Sequence, residues 1–280
     1  ITRVMGIVNG TTNFILSRMA DDGVSYADAL AEAQGLGYAE RDPTADVEGF
    51  DAGAKAAIIA TVAFGARVVA GDVYHEGISG ITVADIEFAA DLQHCIKLLA
   101  VVEQTRASDG GLQIGVRVHP TLVPLDHPLA SVRGSFNAVF VEGGASGDLM
   151  FYGRGAGGRP TASAVLGDLI DAAGNLRRGH GAPIGALERA RIAPIDDVTS
   201  AFYLNVEVDD RPGVLAQVAT VFGENGVSIR SMEQEGLGGE ARLVFITHAA
   251  RERDLRSTLQ GLRSLDAVRA VGSVLRVIGD

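Results

Sequence analysis

The sequence predicts an α+β chain: a mostly antiparallel sheet covered by helices, followed by a smaller βαββαβ unit. Three observations carry this expectation. Runs of strand character at 96–104, 112–119 and 136–142 are separated by the turn-formers SDGG and LDHP. Capped segments with apolar residues at helical spacing precede and follow these runs. From Ala201 the pattern changes to strand, helix, strand, strand, helix, strand.

At 280 residues, the length suits one large domain or two ordinary ones. The chain is 47% apolar, and no run reaches the roughly 18 uncharged apolar residues of a membrane span. A soluble, cytoplasmic protein with no membrane partner is therefore expected. The net charge is −11, and no basic patch is dense enough to neutralise a phosphate backbone, which argues against nucleic acid. A single cysteine, Cys95, excludes an internal disulfide framework and fits a reducing compartment. Its apolar setting, CIKLLAVV, reads as that of a buried inert thiol. The six histidines are scattered without zinc spacing, and no metal site is assigned.

In chain order, Gly6 to Asn9 reads as the end of a strand or turn. Gly10 to Asn13 reads as the cap of a helix through about Met19, whose exposed amides can hold a carboxylate. Ser25 with Asp28 forms a capping box for a helix to about Gln34, and Gly35 and Gly37 stop it. Asp42-Pro43 signals a turn, with Thr44 the expected cap of the next helical segment. Thr82 with Asp85 is a second capping box, for a helix through about Leu92.

The stretch Ala33 to Lys55 carries the densest chemistry. Glu40, Asp42 and Asp46 gather at a sharp turn, and Asp51 and Lys55 lie four residues apart just beyond it. The apolar run AAIIATVAFGA after them predicts a buried helix, with Asp51 and Lys55 on one face at its entrance. In water such a pair contributes only about 0.3–0.5 kcal/mol. Beside a buried helix an ammonium must be paired, and it answers to its surroundings. All other basic residues except Lys97 are arginine, and only lysine exchanges protons readily. Taken alone, the pair reads either as a proton-handling site or as a structural ion pair. Asp42 and Asp46 read equally as turn and helix-dipole chemistry.

After a short strand at 149–152, Gly153, Gly155 and Gly158 match G-x-G-x-x-G before a helix at 161–173. A dinucleotide fingerprint needs a second parallel strand after that helix, and the sequence supplies none. The turn reads as one that approaches a ligand held elsewhere, or as a plain tight turn. Residues 178–200 read as a linker between a first domain, 1–177, and a second, 201–280. The second has the ferredoxin-like order and is large enough to fold alone.

Residues 33–55 resemble the signature of the homoserine dehydrogenase family, through Ala33, Gly37, Tyr38, Ala39, Asp42, Pro43, Asp46, Val47, Gly49, Asp51 and Lys55. The NGTTNFIL stretch at 9–16 and the GRGAGG turn add to the resemblance, which covers roughly 1–180. The C-terminal unit, with DxRPGVL at 209–215 and GENGVSI at 223–229, resembles an ACT domain, a class of amino-acid-sensing module.

The resemblance implies NAD(P)-dependent interconversion of aspartate semialdehyde and homoserine, with most of the cofactor and a sodium ion held by an N-terminal domain that this chain lacks. In isolation the chain is then expected to be inactive. The match implies Lys55 as proton donor and Asp51 as its orienting partner. Glu40, Asp46, Gly10 and Thr11 would contact substrate, and Gly153, Gly155 and Gly157 would close over the nicotinamide. In the ACT-like unit Asp209, Gly213, Val214, Asn225, Val227, Ser228 and Ile229 would bind an amino acid, with L-threonine the expected effector, across a pairing of two units in a homo-oligomer (dimer or tetramer). The competing reading is a sensor or assembly module whose dehydrogenase-like half is vestigial. The joint presence of Glu40, Asp51 and Lys55 weighs against it.

Overall fold

The computed structural model describes residues 1–107, 109–181, 187–236 and 238–278. Strand β1 (Arg3–Ile7) turns into α1 (Gly10–Asp22) at Asn9, whose Oδ1 accepts the Thr12 amide at 2.9 Å. The cap therefore lies one residue earlier than expected, because Asn9 has the side-chain acceptor that Gly10 lacks. Helix α2 (Tyr26–Gly35) starts where Ser25 Oγ accepts the Asp28 amide at 3.2 Å. Thr44 does not cap the short α3 (Thr44–Val47). Instead, Asp42 accepts both its hydroxyl, at 2.6 Å, and its amide, which holds the Asp42 carboxyl below its usual range.

Helix α4 (Phe50–Phe64) runs between left-handed Gly49 and Gly65. It buries one face, not the whole cylinder. Ala52, Ala56 and Ala60 form a small-residue stripe against the sheet, while Ile58 and Val62 are 64% and 67% exposed. The chain continues through β2 (Tyr74–His75) and α5 (Val83–Asp91), where the Thr82–Asp85 capping box is made in both directions. Next come the long hairpin of β3 (His94–Arg106) and β4 (Leu112–Pro124), then β5 (Phe136–Gly143), β6 (Gly147–Arg154) and α6 (Gly158–Arg178). The last part comprises β7 (Thr199–Asp209), α7 (Val214–Glu224), β8 (Ile229–Gly236), β9 (Glu240–Thr247), β10 (Ala250–Arg251), α8 (Glu252–Arg263) and β11 (Val268–Val277).

One sheet runs through the molecule in the order β6-β5-β1-β3-β4-β11-β7-β9-β8. Its pairings are antiparallel except β4–β11 and the side pairing β2–β4. Strand β3 shows how period-2 geometry builds two cores: Leu98, Ala100 and Val102 pack under the helices. Leu99 and Val101 join Met5, Ile7 and Leu129 on the other face. In the last part Phe202, Leu204 and Val206 pack with α7 and α8, while Tyr203 between them joins the first core.

The parallel pairing of Arg276 and Val277 with Thr121 and Leu122 is the seam between the two parts. Ser273 donates to Asp85 at 2.7 Å across it, and Arg276 pairs with Glu76, at 2.9 Å, and with Glu252. Of the stretch read as a linker, residues 182–186 lie outside the described residues, and the part from 188 is anchored as well. The Arg67 amide donates to the Glu188 carbonyl, and the Arg67 carbonyl accepts from Ala190. Ile114 likewise donates to Arg191 and accepts from Ala193. Such isolated bridges need no hydropathy pattern, so nothing in the sequence announced them.

Candidate active site

Lys55 lies one turn of α4 beyond Asp51, and its ammonium donates to Asp51 Oδ2 at 2.7 Å and to the Val8 carbonyl at 3.0 Å. Asn9 Nδ2 donates to the same Asp51 oxygen at 2.8 Å and to Asp46 Oδ1 at 2.7 Å. Two consecutive residues at the β1–α1 turn thus hold the start of α4. The Lys55 and Asp51 side chains are 46% and 34% exposed, so the pair faces an open surface at the start of α4. One ammonium hydrogen has no partner among the described residues. An exposed pair of this kind adds under about 1 kcal/mol to stability, which leaves its elaborate support unexplained by folding alone.

Around this pair the fold gathers Gly10, Thr11 and Asp46. Thr11 Oγ1 donates to the Tyr38 carbonyl at 2.7 Å, and the Phe14 and Tyr38 rings lie 5.0 Å apart. These contacts tie the exposed loop carrying Glu40 to the start of α1. Gly153 sits opposite Asn137 in the β5–β6 pairing. The Asn137 side chain lies against both Gly10 and Gly155, and a Cβ on Gly155 would stand 2.1 Å from its Nδ2. Asn137 Oδ1 is buried with no partner among the described residues. Gly157, at φ 114°, caps α6 in a conformation that glycine alone adopts readily. Among the described residues the strand after α6 is β7, whose sheet neighbours are β11 and β9, so β6 and α6 open no βαβ unit.

A second pocket, of about 370 Å³, lies where β7 meets α7, lined by Asp209, Arg211, Gly213, Val214 and Gln234 among others. Arg269 Nε donates to Asp209 at 2.8 Å and holds its carboxyl below the usual range. Asn225, Val227, Ser228 and Ile229 do not line this pocket within one chain. They lie past the far end of α7, roughly 16 Å along an 11-residue helix.

A family model described as homoserine dehydrogenase matches residues 1–170. The chain belongs to the homoserine dehydrogenase family. A model of the ACT domain matches 202–267. The chain is 54% identical to the homoserine dehydrogenase of Corynebacterium glutamicum over its whole length, and 51% identical to that of Mycobacterium tuberculosis. It spans 63% and 65% of those two proteins. Among solved structures, a homoserine dehydrogenase from Thiobacillus denitrificans superposes with a TM-score of 0.92 at 38% identity, over 99% of this chain and 64% of that one. One from S. aureus gives 0.76 at 32%, over 100% and 65%.

Within this family fold, the signature residues Asp46, Asp51 and Lys55 meet at one place, and two groups beside them, the Val8 carbonyl and Asn9, escaped the sequence reading, as did Asn137 against Gly10 and Gly155. A backbone carbonyl leaves no trace in a sequence. Asn9 could have been found as an N-cap from its spacing to Thr12. Asn137 lies in an ordinary strand and carries no signal.

Proposed function

We propose that this chain forms the substrate-binding and regulatory part of an NAD(P)-dependent homoserine dehydrogenase, interconverting aspartate 4-semialdehyde and homoserine in the cytoplasm. The observation that carries the reading is the half-exposed Lys55 ammonium, held by Asp51 and the Val8 carbonyl with one hydrogen left for a ligand. The glycine cradle beside Gly10 supports a cofactor's approach from that side. A related archaeal homoserine dehydrogenase mutant was solved in complex with NADPH. Helix α6 supports a further body of protein there: none of its residues is buried, and Val165, Leu166, Leu169 and Ile170 are exposed. That body is the nucleotide-binding part, holding most of the cofactor.

The nicotinamide, when bound, supplies or accepts the hydride at the substrate's carbonyl carbon. As charge grows on the aldehyde oxygen, Lys55 stabilises it and delivers the proton that completes the hydroxyl. Asp51 keeps the ammonium aimed and accepts a hydrogen bond from the new hydroxyl. Glu40 pairs with the substrate α-ammonium, Asp46 forms the acidic wall, and Gly10 and Thr11 contact the substrate through amide and hydroxyl. Gly153, Gly155 and Gly157 close over the nicotinamide end.

Homoserine-dependent NADP reduction tests this, comparing the chain alone with a version carrying the coding sequence upstream of Ile1. Activity confined to the longer version supports the reading. Silence in both, with NAD also tried and folding verified, overturns it. For the ACT unit, L-threonine is the proposed effector, bound at Asp209, Gly213 and Val214, with Asn225, Val227, Ser228 and Ile229 supplied by a second copy in a homo-oligomer. A thermal shift of this chain by L-threonine, abolished in Asp209→Ala, supports that assignment, and no shift at millimolar threonine opposes it.

A further inference from the structure

We propose that Asn9 is a positioning residue of the active site, whose amide sets Asp46 and Asp51 in place and thereby aims Lys55. The inference rests on the dehydrogenase reading. Asn9 is 4% exposed, and its side chain is fully engaged. Its Oδ1 accepts the Thr12 amide at 2.9 Å and the Thr12 hydroxyl at 3.1 Å. Its two Nδ2 hydrogens go to Asp46 Oδ1 and Asp51 Oδ2. The orientation of the amide is dictated by chemistry: flipped, its oxygen would face two carboxylates and its NH₂ would face a backbone N–H.

Capping alone does not explain the choice of residue. Asp and Ser cap as well as Asn, and either would satisfy Thr12. Only asparagine caps and also presents two hydrogens to two carboxylates. The arrangement matters because Asp51 Oδ2 is shared: Asn9 reaches it at 2.8 Å and Lys55 at 2.7 Å. Val8, one residue earlier, gives its carbonyl to the same ammonium. One anchor of the proton donor is therefore Val8 itself, and the other, Asp51, is held by the next residue, so a shift of Asn9 moves the whole group. Two acids within hydrogen-bond reach of one nitrogen would repel each other without that donor between them.

The test uses Asn9→Ser and Asn9→Asp in the version carrying the upstream coding sequence, since both keep the cap. In Asn9→Ser the NH₂ that bridges the two carboxylates is lost without new charge, and kcat falls about 10–100-fold with the melting temperature close to that of the parent. In Asn9→Asp a third carboxylate joins the pair, and the acid limb of the kcat/KM profile moves to higher pH. Unchanged kcat and unchanged pH profile in both, with only a lower melting temperature, would reduce Asn9 to a cap and overturn the proposal. An independent readout needs no activity. In this chain the Asn9 side-chain NH₂ resonances report its hydrogen bonds to Asp46 and Asp51. The proposal fails if Asp51→Asn and Asp46→Asn leave those resonances in place. An inactive parent enzyme would sink the dehydrogenase reading, and the resonances would still decide the arrangement.

Discussion

Two charged clusters flank the centre of the molecule, and they are built in opposite ways. At the start of α4, Asp51 and Lys55 stand half in water, held from behind by Val8 and Asn9. At the seam, the Arg276 side chain is 6% exposed and Glu252 8%, with Glu76 completing the group. Arg117 lies nearby, paired with Glu103 at 2.6 Å. Arg276 and Glu252 have given up water and depend on one another, so cutting one strands the other. The α4 charges keep water, so cutting one should cost little in stability.

Mutations should pull this contrast apart. The largest expected effect is at Lys55: Lys55→Ala lowers homoserine-dependent NADP reduction about 10²–10⁴-fold in the version carrying the upstream sequence. Urea melts of the same variant should move by less than about 1 kcal/mol. A large loss of stability would show that the pair is structural after all. Arg276→Met should do the reverse, costing about 3–5 kcal/mol in urea unfolding because Glu76 and Glu252 lose their cation. A change under about 1 kcal/mol there would break the comparison from its other side.

The pH dependence sharpens it further. His119 is fully buried, and burial, with Arg276 and Arg117 beside it, holds its pKa well below the ordinary 6.5. The unfolded chain therefore takes up a proton before the folded one does. Stability falls as pH drops below about 6.5, by up to about 1.4 kcal/mol per unit from this residue, until the folded pKa is reached. Urea midpoints between pH 7 and 5 should show a shallower acid decline in His119→Gln, and an unaltered slope would refute the assignment. The smallest effect joins the clusters. Gly49, at φ 81°, caps α4 with its Cβ position 3.0 Å from the Glu76 carbonyl. Gly49→Ala should cost about 1–2 kcal/mol from the left-handed backbone, and thermal melts showing no loss would argue that the α4 cap leaves that conformation when glycine is replaced.

Much of this was legible before any fold was known. The strands at 96–104 and 112–119, the Thr82 capping box and the one-turn spacing of Asp51 and Lys55 are local facts, set by side chains within a few residues of each other. The same is true of the βαββαβ order after Ala201, since each element there has its own period. Helix α4 marks where such reading ends. Its composition predicted burial all round, but only packing on the sheet decided that the alanine stripe faces inward while Ile58 and Val62 face out.

The sequence by itself determined which elements form and which residue types could handle a proton, because propensity, capping and spacing act over one or two turns. Tertiary structure alone decided which elements meet. It brought Asn9 to Asp46 and Asp51, far along the chain, laid β11 beside β4, and set Arg276 against Glu76 across the seam. Such meetings rest on closing long loops to bury surface and pair charges, and a periodicity carries no record of the partner it will find.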